Sequence, residues 1–245
     1  MKSKISTILI LVVINLPLLA QNEIKVISSG RSALVVEYTP VYSDTSHIKI
    51  NNEEYIKINL SGGYYANPED WGMPAVPKRG INVGVPSEYG NTIRVLTSSS
   101  KEINGKIAPN PKMVKDKGLN NLVYEIKPGY NRYEDNTELV GFGDYGIVRG
   151  IPVQTLIISP VSYIPTQNTI KIYTRIVFEV TFSTNQKINP AAPADDFLQG
   201  AMINYSVARS WSKDISSRLR KRSSVENSVL NTGKWVKFEA PGEGM

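Results

Sequence analysis

A nucleophilic triad needs a histidine, and His47 is the only one among 245 residues. No G-x-S-x-G elbow accompanies it, and its place just before Asn51-Asn52 marks a surface or edge strand rather than a catalytic centre. The chain contains no cysteine. That excludes thiol nucleophiles, zinc–thiolate centres, redox chemistry and disulfides from it. Carboxylates occur as adjacent pairs, Glu53-Glu54, Glu69-Asp70, Glu134-Asp135 and Asp195-Asp196. Neighbours in sequence point to opposite sides of a strand or sit in turns, so these pairs do not read as glycosidase acids facing each other across a cleft. The stretch GFGDYGIVRG, residues 141–150, lacks the Lys-Ser/Thr of a phosphate loop and no helix follows it. It reads as a β-turn or bulge between two strands. Tyr64 and Tyr65 near Trp71 are the best cluster for stacking a sugar, although aromatics in a β-rich chain mostly pack in cores and edges. No catalytic residue, cofactor site or metal site emerges.

The elements that carry these residues are read from hydrophobic periodicity. Ile170, Ile172, Ile176, Phe178, Val180 and Phe182 alternate with Lys171, Arg175, Glu179 and Thr181. That pattern predicts a half-buried antiparallel strand, or two strands joined at a bend near Thr174. Ile48 and Ile50, then Ile56, Ile58 and Leu60, flank Asn51-Asn52 and predict a hairpin. Residues 33–38, 93–96 and 153–159 read as further strands, and Pro128-Gly129 as a turn. In WGMPAVPKRGINVGVP, residues 71–86, Pro74 and Pro77 fix φ and remove amide donors. A rigid, unpaired entry is expected there, setting the register of a strand that begins its alternation at Ile81. From Asp195 to Trp211, Phe197, Ala201, Tyr205 and Ala208 recur at helical spacing, with Asp195 placed as N-cap. The expected fold is all-β, an antiparallel β-sandwich of jelly-roll-like form with one C-terminal helix.

The chain ends frame this domain. Lys2 and Lys4 precede an apolar run from Ile8 to Leu19, and Ala20 follows as a small residue. This is the pattern of a signal peptide over residues 1–20, cut between Ala20 and Gln21. The run is too short for a spanning helix, and no other stretch is apolar enough, so no membrane span is expected after its removal. The expected location is the periplasm, the outer membrane or cell surface, or the medium. Net charge is +6, from 28 basic and 22 acidic residues. Arg218, Arg220, Lys221 and Arg222 cluster in a Ser-rich stretch, which reads as an exposed, cleavable linker over residues 213–227 rather than a nucleic-acid face. Strand character resumes at Lys234–Phe238, so residues 228–245 read as the truncated start of a following β domain, and residues 21–212 as the sandwich.

Several segments in order resemble one known domain. WGMPAVPKRGINVGVP is similar to the Gly-x-Pro-x-x-Pro segment leading into an apolar strand in the prodomains of gingipain-type cysteine peptidases. IAP at 107–109 follows at a suitable distance. Arg149-Gly150, then Pro160, Tyr163 and Pro165, then Ile170 to Tyr173 match the family's Arg-Gly, Pro-x-x-Tyr-x-Pro and Ile-x-Ile-Tyr elements. INYSVAR, residues 203–209, resembles the Asn-Tyr helix that closes the prodomain. The tail SVLNTGKWVKFEAPGEGM looks like the start of the next domain in the gingipain-like sortase of the type IX secretion system of Bacteroidetes. The resemblance implies a non-catalytic domain whose partner is a downstream or cognate cysteine peptidase domain, together with other type IX secretion components. It implies a role in folding that partner or keeping it latent. The family places a basic residue soon after IAP in the partner's specificity pocket, which here points to Lys112, Lys115 and Lys117. The alternative carried beside it is an exported β-sandwich binding module for carbohydrate or protein.

Overall fold

The computed structural model describes residues 23–65, 70–116, 118–134, 137–183 and 194–212. Among them lie twelve strands, all paired antiparallel. One sheet runs β1 (Ile24–Ser29), β2 (Ala33–Tyr38), β12 (Thr169–Thr181) and β11 (Val161–Ile164), with β6 (Thr92–Asn104) along the other edge of β12. A second sheet runs β5 (Arg79–Gly84), β10 (Ile151–Ile158) and β9 (Val140–Val148). Two hairpins complete the set: β3 (Tyr42–Ile50) with β4 (Glu53–Leu60), and β7 (Lys112–Asp116) with β8 (Leu119–Val123). The fold is the expected antiparallel β-sandwich.

β12 organises it. Ile170, Ile172, Ile176, Phe178 and Val180 of its inward face are buried, as is Phe182 just past its end, and Thr174 is the exposed member of that face. The strand stays continuous over 13 residues, but its register against β6 slips between Tyr173 and Arg175. The expected bend is therefore a β-bulge at Thr174, which lets one strand serve two cores. Beyond it, Ile176, Phe178 and Val180 pack with Leu34 and Val36 of β2, Ile81 and Val83 of β5, and Leu156 and Ile158 of β10. Before it, Ile170 and Ile172 pack with Ile50, Tyr55 and Ile58 of the β3–β4 hairpin, Ile107, Tyr130 and Tyr163. Tyr130 meets Tyr55 edge-on at 6.0 Å between ring centroids, and its hydroxyl donates to the Ile107 carbonyl. Burial pushes that hydroxyl far above its ordinary pKa, so it remains a donor.

Turn chemistry follows the sequence closely. Asn51 and Asn52 take φ of 50° and 66° and close the β3–β4 hairpin. Arg149 and Gly150 take φ of 47° and 86° and turn β9 into β10. The glycine-rich stretch expected to be a turn or bulge is thus mostly strand, with the turn confined to its last two residues. It bulges as well, where the β9–β10 register slips between Gln154 and Leu156.

The helical segment stands where its periodicity places it, but it is interrupted. α1 (Asp196–Ala201) and α2 (Tyr205–Ala208) are followed by a 3₁₀ turn at Arg209–Trp211. Asp195 caps α1, accepting from the Leu198 amide at 3.2 Å. At the break, Met202 is extended and the Ile203 amide donates to the Asn82 carbonyl, so the chain leaves the helix to touch β5. The buried stripe is shifted by one residue in α1: Leu198 and Met202 enter the core with Tyr205, Ala208 and Trp211, while Phe197, expected on that face, is 60% exposed and Ala201 is half-buried.

Candidate functional site

The proline-rich segment departs from the sequence expectation in an informative way. Pro74 and Pro77 have no amide protons, yet their neighbours are paired. Gly72 N–H donates to the Asn110 carbonyl at 2.9 Å, Asn110 N–H to Met73 at 2.8 Å, and Ala75 N–H to Ala108 at 2.9 Å. Pro74 and Pro109 face each other across an isolated bridge. The segment is therefore a short ladder against IAPN at 107–110, not an unpaired entry. Prolines fit there because they fall where no ladder donor is needed.

Immediately beyond Asn110 the chain leaves the body as the β7–β8 hairpin. Lys112 pairs with Val123, Met113 with Leu122, Val114 with Asn121, Lys115 with Asn120 and Asp116 with Leu119. Directly opposed residues share a face, so Met113, Leu122, Lys115 and Asn120 lie together on one side. Met113 is 65% exposed, Leu119 69% and Leu122 55%. Lys112 and Lys115 are exposed as well, and Lys115 makes no ion pair or hydrogen bond among the described residues. A two-stranded ribbon carrying three bare apolar side chains and an unpaired Lys115 is not core structure. Gly118, at φ 83°, has open space around it.

The structure thus brings Lys112 and Lys115 onto one projecting element, while Lys117 lies outside the described residues. So do Ala20, Gln21, Arg218, Arg220, Lys221 and Arg222, with the signal-peptide, linker and following-domain segments. What the sequence reading missed is that the lysine stretch forms a hairpin. The signal was available: Asp116-Lys117-Gly118 between Met113-Val114 and Leu122-Val123 has the form of a short turn between strands. Its apolar residues were too few to stand out.

The other candidates disperse. His47 Nδ1 sits 3.0 Å from Glu54 on the β3–β4 hairpin, and both side chains are more than half exposed. Tyr65 is tied down, its hydroxyl donating to the Ile58 carbonyl at 2.7 Å. The Trp71 ring is flanked by Lys127 Nζ at 4.0 Å and Lys112 Nζ at 4.9 Å from its centroid, which leaves it poorly placed as a sugar platform. No group of three or more potential metal ligands occurs among the described residues. Among the described residues no helix is long and apolar enough to cross a membrane.

The resembling segments, scattered in sequence, meet in space. Gly72, Ala75 and Ala108 form the ladder just described, and the buried Asn204 of INYS binds Gly84. Arg149 of the Arg-Gly turn reaches Asp195, the cap of α1, at 2.6 Å. The Propeptide_C25 family profile matches residues 18–210, which takes in these segments but not the tail at 228–245. The chain belongs to the Propeptide_C25 family. It is the propeptide domain of a C25 peptidase and is not itself catalytic, in keeping with its lack of cysteine.

Two solved structures share the propeptide's fold. The complex of Porphyromonas gingivalis RgpB pro- and mature domains matches at a TM-score of 0.63 and 20% identity, covering 76% of this chain and 98% of that one. The structure addressing zymogenic latency of gingipain K from Porphyromonas gingivalis matches at 0.52 and 16%, covering 65% and 92%. Among curated proteins none matches the chain significantly.

Proposed function

We propose that this propeptide assists folding of a cognate C25 catalytic domain and holds it latent, with the β7–β8 hairpin as the element that enters the partner's active-site cleft. The observation that carries the proposal is the hairpin itself, an exposed ribbon whose Lys115 has no ion pair or hydrogen bond among the described residues and whose Met113, Leu119 and Leu122 are bare. An extended strand carrying a cationic side chain is how a peptide substrate presents itself to a cleft, so Lys112, Lys115 or Lys117 would occupy a pocket selective for basic residues. The parent peptidase is exported under the signal peptide at residues 1–20, to the periplasm, the cell surface or the medium. The resemblance of the tail favours a type IX secretion sortase as that parent, with other components of that system as further partners. Arg218, Arg220, Lys221 and Arg222 then offer basic sites for a cut that would separate propeptide from enzyme.

The chain without residues 1–20, added in trans to the cognate catalytic domain, should inhibit it. Replacing Lys112, Lys115 and Lys117 together by Ala should weaken inhibition at least ~10-fold, the scale of one lost charge-assisted contact. Absence of any measurable binding to the catalytic domain would sink the proposal.

A further inference from the structure

The hairpin is held at its root by two residues of the proline-rich segment, and the contacts bridge both of its legs. The outgoing leg leaves the body at Asn110 and the returning leg rejoins it at Lys127. Gly72 touches both: its N–H donates to the Asn110 carbonyl at 2.9 Å, and its carbonyl accepts from the Lys127 N–H at 3.1 Å. The neighbouring Trp71 repeats the arrangement with side chains. Lys112 Nζ of the outgoing leg lies 4.9 Å from the ring centroid, and Lys127 Nζ of the returning leg lies 4.0 Å from it. Gly72 has little room to be anything else. Its φ is 79°, and an added Cβ would stand 2.8 Å from Lys127 Cγ and 3.1 Å from Lys127 N.

A two-stranded ribbon lacks the packing to fix its own direction. Beyond Asn110 the hairpin contributes no residue to either buried cluster until Tyr124 and Ile126, which pack against the second one. Its aim is therefore set at the root. We infer that Trp71 and Gly72 form a positioning clamp that fixes the direction in which the β7–β8 hairpin projects. The indole does not touch the partner in this scheme. It keeps the two legs at a set angle to the body, so that the lysines arrive where a cleft would meet them, and it lowers the ordering cost of docking. The inference rests on the proposal that this hairpin is the inhibitory element.

The test compares Trp71→Phe with Trp71→Leu in the chain without residues 1–20, using trans inhibition of the cognate catalytic domain. Both substitutions leave an apolar side chain at the site, but only Phe offers a ring face to Lys112 and Lys127. Phe should inhibit within about 3-fold of the parent chain, and Leu about 10-fold more weakly, at equal melting temperatures. Equal inhibition by the two variants overturns the clamp, whether both match the parent or both are weakened. Lys127→Met, which keeps the returning leg's backbone bond to Gly72 but removes its cation, should weaken inhibition in the same sense, and no effect would count against the clamp. The Lys112, Lys115 and Lys117 triple-Ala variant separates the two ideas. If it inhibits like the parent, the hairpin is not the inhibitory element and the underlying proposal falls. If it fails to inhibit while Trp71→Leu inhibits fully, only the clamp falls.

Discussion

A single buried asparagine ties the helical segment to the second sheet. Asn204 is 1% exposed, yet both ends of its amide are engaged by one residue: Oδ1 accepts from Gly84 N–H at 2.7 Å and Nδ2 donates to the Gly84 carbonyl at 2.9 Å. The side chain does for Gly84 what a neighbouring strand would do, at the point where β5 ends. The bonds require close approach, and Gly84 allows it, since an added Cβ would stand 2.2 Å from Ala208 Cβ. This explains why Asn heads the Asn-Tyr motif and why the chain leaves helical geometry just before it. Asn204→Ala would leave a buried N–H and C=O of Gly84 without partners, so it should cost about 2–4 kcal/mol in urea denaturation. Asn204→Asp restores only the acceptor, and it should be no better than Ala because it buries a charge beside a carbonyl oxygen. An Asn204→Ala loss below about 0.5 kcal/mol would show that water replaces the amide there.

At the scale of elements, the strands and turns with strong periodicity or Gly, Asn and Pro punctuation were legible, and the reasons are local. β12 was readable because its two faces differ sharply over its whole length, down to Thr174 marking the bulge. The β3–β4 hairpin was readable because Asn51 and Asn52 are suited to positive φ. Hairpin stability should follow that conformation: Asn52→Gly should be neutral or stabilising, and Asn52→Val should cost about 1–2 kcal/mol in thermal unfolding. Equal stability of the two would contradict the left-handed assignment. The pairing of the proline-rich segment with IAPN was not legible, because prolines hide a ladder in which only alternate amides need to donate. The break between α1 and α2 was hidden for a different reason. Tertiary bonds from Ile203 and Asn204 to β5 override a helical pattern that the apolar residues still satisfy. The hairpin at 112–123 was legible only as a lysine-bearing stretch, since nothing in its own residues shows that no other element covers it.

For the whole molecule, three ion pairs at the surface tie together elements that already share a core, and they shape how stability responds to acid. Glu37 on β2 is held below its ordinary 4.5 by hydrogen bonds from Arg175 on β12. Glu53 at the start of β4 is lowered from 4.5 by Lys106 and then by Tyr55. Asp195 is lowered from 3.8 by Arg149 and by the Leu198 amide it caps. In each case the folded form binds its proton less readily than the unfolded chain. The stabilisation is therefore fully present above the ordinary value and is lost as pH falls through the lowered folded value. The window lies below pH 4.5 for the two glutamates and below 3.8 for Asp195. Each pair is solvent-facing and contributes modestly, so the sandwich should survive neutral pH without any one of them. The melting temperature should stay level from neutral pH down to about 5 and then decline. Arg175→Met should lower it at neutral pH and shrink the acid-induced decline, because Glu37 then loses the hydrogen bond that lowers its pKa most. High salt should reduce the difference between that variant and the parent chain. A decline that begins above pH 5 would mean that groups other than these three govern the acid response, and one that Arg175→Met leaves unchanged in size would remove Glu37 from among them.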